Sequence, residues 1–195
     1  MAIAYLNKLC YNKIVKIPLP KLKAVLLYFC ANTDSKFLGK VKLMKLLYFL
    51  DFVHVKKYGI PVTFDTYVNL EHGPIPSTIK NLVDDVCEDP DSSVLADAIY
   101  CEKPDKVNIH RILPQRDFPA EDKKYFSKSE LEVLENVCER FGDKNTKYIE
   151  DASHQESPWS TTNLLDRIPY TLAVMDSDCQ VSKEEIELLT NLYSD

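Results

Sequence analysis

The chain of 195 residues predicts an α+β fold, a mostly helical single domain with a small antiparallel β-sheet or hairpin. Three observations predict it. Apolar residues recur at i, i+3, i+4 and i+7 over several segments. Two Ser-x-x-Glu capping boxes, Ser127/Glu130 and Ser182/Glu185, mark helix starts. Alternating, β-prone runs are short and few.

The elements follow in chain order. Pro18 and Pro20 open a helix over about 20–31, with Leu22, Val25, Leu26 and Phe29 on one face. Asn32 to Gly39 reads as a connection. A second helix, over about 40–57, is apolar nearly all round, as the buried centre of a domain would be. Gly59 and Pro61 end it. Residues 62–70, VTFDTYVNL, alternate as on a half-buried strand. Gly73, Pro74 and Pro76 then turn the chain sharply into a third helix, over about 78–88. Its N-cap is Ser77, and Ile79, Leu82, Val83 and Val86 face inward. Residues 93–101 and 106–113 form a candidate hairpin. The first capping box precedes Leu131, Leu134, Val137, Cys138 and Phe141, and Gly142 suits the stop. Asn145 starts a short helix reaching Ser153, and Ser157-Pro158 resembles an N-cap followed by Pro at the first helical position. The second box opens a terminal helix with Ile186, Leu189 and Tyr193 inward.

Apolar residues make up 45% of the chain and charged residues 28%, an ordinary globular composition. No apolar stretch reaches the roughly 20 residues of a membrane span. The start, MAIAYLNKLCYNK, lacks the parts of a secretory signal. A cytoplasmic protein without a membrane partner is expected. Cys10, Cys30, Cys87, Cys101, Cys138 and Cys179 include no C-x-x-C pair, so reduced, partly buried thiols are expected. With four glycines and no G-x-G-x-x-G run, a glycine-rich phosphate cradle is excluded.

The net charge of −6 is unevenly spread. Residues 1–57 carry 11 of the 24 Lys and Arg but two of the 30 acids, which is +9 against 13 − 28 = −15 for the rest. One reading is a dipolar fold whose two parts attract each other. The other is a basic patch, including Lys40, Lys42 and Lys45, for an acidic partner. A nucleic-acid binder is more often basic overall, which weighs against nucleic acid.

Four histidines, His54, His72, His110 and His154, show no metal-ligand spacing, and neither metal nor cofactor is expected. His54 reads as a packed histidine and His110 as a side chain on one face of the hairpin. Glu71-His72 is open to two readings, a proton-shuttling pair or part of a forced turn. His154 and Trp159 likewise form either a partner-facing pocket or a helix start anchored by a large ring.

Four stretches together resemble the Panacea domain family of SocA-like antitoxins. They are KLMKLLYF (Lys42 to Phe49), the Gly59 to Tyr67 segment, the Gly73-Pro74-Ile75 turn, and S-H-x-x-x-P-W (Ser153 to Trp159). The resemblance covers roughly residues 20–170, within a domain taken as 20–195, and leaves 1–19 as a separate N-terminal segment. It implies an antitoxin of a toxin–antitoxin system, without enzymatic activity, that neutralises a cognate toxin by direct protein–protein binding. It also implies, for some relatives, delivery of the toxin to a ClpXP-type protease. For a toxin partner the expected contact residues are Lys40, Lys42 and Lys45, from the charge split alone, and His72, His154 and Trp159, with Gly73, Pro74 and Pro76 as structural landmarks. Two other classes stay open from the residues alone: a nucleic-acid-binding regulator using the basic part, and a small hydrolase or transferase using His72 or His154.

Overall fold

In the computed structural model, which describes residues 17–103 and 110–193, the first helix is α1 (Leu19–Ala31) and the second is α2 (Lys40–Tyr58). The rest of the chain packs around α2. Leu43, Leu46, Leu47 and Leu50 are fully buried, and so are Tyr48, Phe49 and Phe52 on its other sides. Helices α4 (Lys128–Phe141) and α5 (Thr146–His154) pack on it, as does a 3₁₀ turn at Tyr170–Met175. Phe49 meets Phe141, and Tyr48, Phe52, Tyr67 and Tyr170 form one aromatic cluster. Each such ring buried stabilises the fold by about 1.5–3 kcal/mol. Gly59 ends α2 in the left-handed conformation, φ 75°, as its sequence position predicts.

Strand β1 (Tyr67–Leu70) lies between β2 (Gly73–Pro76) and β5 (Arg167–Ile168), antiparallel to both. The strand expected over 62–70 is thus shorter than its alternation suggests, for a physical reason. The amides of Val62 and Thr63 donate to the Asp51 carboxylate, 2.8 Å each, so they are not free for a ladder. Phe64 then takes a positive φ of 57°.

The GPIP run is more than a turn. It is an edge strand, joined to β1 by the two residues Glu71 and His72. The Ser77 N–H bonds Thr66 O at 2.9 Å, which sets the hydrogen-bonding alternation. Pro74 and Pro76 fall at the positions whose missing N–H would face away from β1. Proline is tolerated there, and it blunts the open edge.

Helix α3 (Ser77–Glu88) follows at once. Ser77 is inside the helix rather than its cap. Asp65 supplies the cap from the preceding loop, accepting from Thr78 N at 3.1 Å and Ile79 N at 2.7 Å. Strands β3 (Ile99–Glu102) and β4 (Arg111–Pro114) form the expected hairpin in shorter form, and residues 104–109 of its connection lie outside the described residues. Both capping boxes are present, at the starts of α4 and of α7 (Lys183–Leu192). Asn145 caps α5. The short helix α6 (Ser157–Ser160) begins one residue earlier than expected, with Glu156 at its N-cap. Ile186 of α7 is buried, whereas Tyr193, expected inward, is 65% exposed.

The expectation of reduced thiols fails at one place. Cys87 at the end of α3 and Cys101 in β3 are joined as a disulfide, while Cys30, Cys138 and Cys179 are free. Residues 14 apart gave no motif, but the hairpin brings β3 onto α3. The first 16 residues, most of the N-terminal segment, lie outside the described residues.

Candidate partner-binding site

Helix α2, the β1–β2 turn and α3 enclose an open cavity of about 530 Å³. Lys40, Val41, Met44 and Lys45 line one side, Leu70 to Gly73 another, and Lys80, Val83 and Asp84 a third. Leu164 and Leu165 close the rim at 60% and 71% exposure. Leu165 holds a positive φ of 70°, costly for a branched side chain, and its N–H bonds Asn69 O at 2.8 Å. The rim therefore holds two leucines outward. A second concavity of about 610 Å³, with Tyr28, Phe118, Glu135 and Glu139, contains none of the motif residues.

The floor of the cavity is where the sequence motifs meet. Lys45 is fully buried, and its ammonium donates to Pro74 O at 2.7 Å. Burial pushes its pKa down to about 7, with the Glu150 carboxylate opposing. Gly73 adopts φ 93° directly above it. A Cβ there would stand 2.7 Å from Ser153 Oγ and 2.9 Å from Lys45 Nζ. The lysine of the KLMK run, the glycine of the turn and the serine of the SHQESPW stretch thus form one contact.

The last stretch also braces the turn from behind. Trp159 Nε1 donates to Leu70 O at 3.3 Å, and Asn69 Nδ2 donates to Trp159 O and Thr162 O at 3.2 and 2.6 Å. His154 stacks on Trp159 with ring centroids 3.9 Å apart. Burial lowers the His154 pKa despite the Glu150 carboxylate.

The expected contact residues therefore separate. Lys40 and His72 reach the cavity surface. His72 is exposed, with Nδ1 3.4 Å from Glu150 Oε1. Lys40 and Lys80 both pair with Asp84. Burial works against that carboxylate, but the two lysines hold its pKa below the ordinary range. Lys42 points elsewhere. Its buried ammonium donates to Gly142 O at 2.9 Å and Lys144 O at 2.6 Å, at the C-terminus of α4, where a cation meets the negative end of the helix dipole. Trp159 and His154 stand behind the turn rather than in the cavity lining.

The sequence reading did not single out Leu164 and Leu165, although two leucines in the polar run TTNLLDR were a usable signal. The burial of Lys42 and Lys45 also had a signal, since a helix apolar nearly all round leaves its lysines no solvent face. His54 is packed as expected, with Nδ1 2.6 Å from Ile60 O and Nε2 3.0 Å from Ser129 Oγ. Its Nδ1 meets the Ile60 backbone carbonyl where a Ser-His-Asp triad has a carboxylate.

No curated protein and no solved structure matches the chain. The family Antitoxin SocA-like, Panacea domain, matches over residues 43–160. That is 118 of 195 residues, and it contains Lys45, Gly73, Ser153 and Trp159. The chain therefore belongs to the SocA-like antitoxin family that carries the Panacea domain.

Proposed function

We propose that this protein is an antitoxin that neutralises a cognate toxin by direct binding, with the cavity rim as the docking surface. The family match over 43–160 carries the reading. The cavity supports the choice of docking surface. Exposed Val41, Leu164 and Leu165 supply apolar anchors, and Lys40, Lys80 and His72 supply a polar border. The occupant is a toxin segment with a bulky apolar side chain for the cavity. Delivery of the bound toxin to a ClpXP-type protease is a second step that the family membership suggests.

The ion pairs weigh against nucleic acid as the partner. Lys21, Lys23, Lys40, Lys56 and Lys57 each pair with an acid beyond residue 57, and the ammonium groups of Lys42 and Lys45 bind backbone carbonyls. Among the described residues, most lysines of the N-terminal part are thus engaged inside the fold, as a dipolar arrangement requires.

The test is co-expression with the product of the adjacent reading frame, comparing the unsubstituted chain with V41D and L165D. Aspartate tolerates a positive φ better than leucine, so L165D adds no backbone strain at φ 70°. Growth rescue and co-purification are expected for the unsubstituted chain, and both should be lost in the variants while melting temperature holds. Undiminished rescue by both variants would remove the cavity from the interface. A harmless neighbour would end the antitoxin reading.

A further inference from the structure

The β3–β4 hairpin carries chemistry that the cavity does not use. Its register pairs Cys101 with Ile112 and Glu102 with Arg111. Opposed residues share a face of the hairpin, and so do residues two apart on one strand. Cys101 and His110 therefore lie diagonally on the face that holds the fully buried Ile112. Strand β3 packs on α3, whose last turn brings Cys87 to 5.0 Å from Cys101 between Cα atoms. One ligand atom each from Cys87, Cys101 and His110 lie within 4.8 Å of one another. Cys87 is buried, while Cys101 and His110 are half-buried and leave a way in from solvent.

The geometry points to a zinc site formed by Cys87, Cys101 and His110 in the dithiol form of the protein, with water in the fourth position. Two thiolates and an imidazole suit Zn²⁺ and not the hard cations Mg²⁺ and Ca²⁺. Zn–S and Zn–N bonds of about 2.3 and 2.0 Å bring tetrahedral ligand atoms roughly 3.5 Å apart, within reach of this cluster by side-chain rotation. The two sulfurs are joined in this structure, so the site forms on reduction. A dithiol reductant gives two electrons and two protons to the Cys87–Cys101 bond and becomes a disulfide itself. Zn²⁺ then displaces the two thiol protons to solvent, giving an uncharged ZnS₂N centre. The ion takes over the link between α3 and the hairpin.

Cobalt reports on such a site. Full-length protein is reduced, freed of reductant and metal without oxygen, and titrated with Co²⁺. Saturation at one equivalent is expected, with visible ligand-field bands and a thiolate-to-cobalt charge-transfer band that Zn²⁺ bleaches. C101S should lose much of the charge-transfer intensity, and H110A should shift the ligand-field bands. C30S and C179S should change neither, and the oxidised protein should show no bands. Cys87 is buried and its replacement risks the fold, so zinc-edge X-ray absorption of the unsubstituted protein gives the second reading, with two sulfurs and a nitrogen expected. Reduced protein without bands, or bands unchanged in both C101S and H110A, would overturn the site.

Discussion

At the residue scale, Lys45 shows how one buried amine ties stability to pH. Its ammonium lies under Gly73 and binds Pro74 O, and burial lowers its pKa from 10.5 to about 7. The unfolded chain therefore holds this proton more tightly than the folded one. Between the two pKa values, stability rises with pH, and below about pH 7 the contribution is constant because both states are protonated. The slope is at most about 1.4 kcal/mol per pH unit. Urea denaturation between about pH 7 and 8.5, below most cysteine and tyrosine ionisation, should show the unsubstituted chain gaining stability with pH relative to K45M. Parallel profiles would mean that Lys45 titrates normally. The apolar run of α2 signalled that Lys45 is buried, but not what it meets. That shows only when the Lys45, Gly73 and Ser153 stretches are brought together by long-range folding.

At the element scale, the helices were legible because their causes are local. The two capping boxes place α4 and α7 to the residue, and the apolar periods of α1 and α2 give their burial. The strands were less legible because their causes are distant. Val62 to Thr66 alternate like a strand, yet Asp51 on α2 takes their first amides and Asp65 turns away to cap α3. Strand β5 has two residues and exists only because β1 offers its second edge. The cap from Asp65 is the most testable of these. It satisfies two amides that Ser77 and Pro76 leave without a side-chain partner. D65A should destabilise the protein by about 0.5–2 kcal/mol in equilibrium denaturation, the usual effect of losing a helix cap. D65N, which keeps an acceptor oxygen, should recover part of the loss. Equal losses in the two variants would assign the effect to packing rather than capping.

At the scale of the whole molecule, the family segment is smaller than the packed core. The match starts at residue 43, inside α2, and stops at 160, the end of α6. What lies outside completes the core. Leu22, Val25, Leu26 and Phe29 of α1 are fully buried. Tyr170 donates to Asp65 O at 2.8 Å and lies 3.1 Å from Asp51 Oδ2. Asp176 and Asp178 join Glu156 around the buried ammonium of Lys56, 2.8 and 3.1 Å away. Burial alone would lower the Lys56 pKa, and these carboxylates together raise it. Losing four large apolar side chains removes about 6–12 kcal/mol at 1.5–3 each, comparable with the whole net stability of about 5–15 kcal/mol for a domain. A chain cut to residues 43–160 should therefore show no cooperative calorimetric transition and weak near-ultraviolet circular dichroism, while the full chain melts in one step. A cut chain that melts cooperatively would make α1 and the C-terminal third accessories to a self-sufficient domain. The V41D and L165D comparison would then belong in that shorter chain.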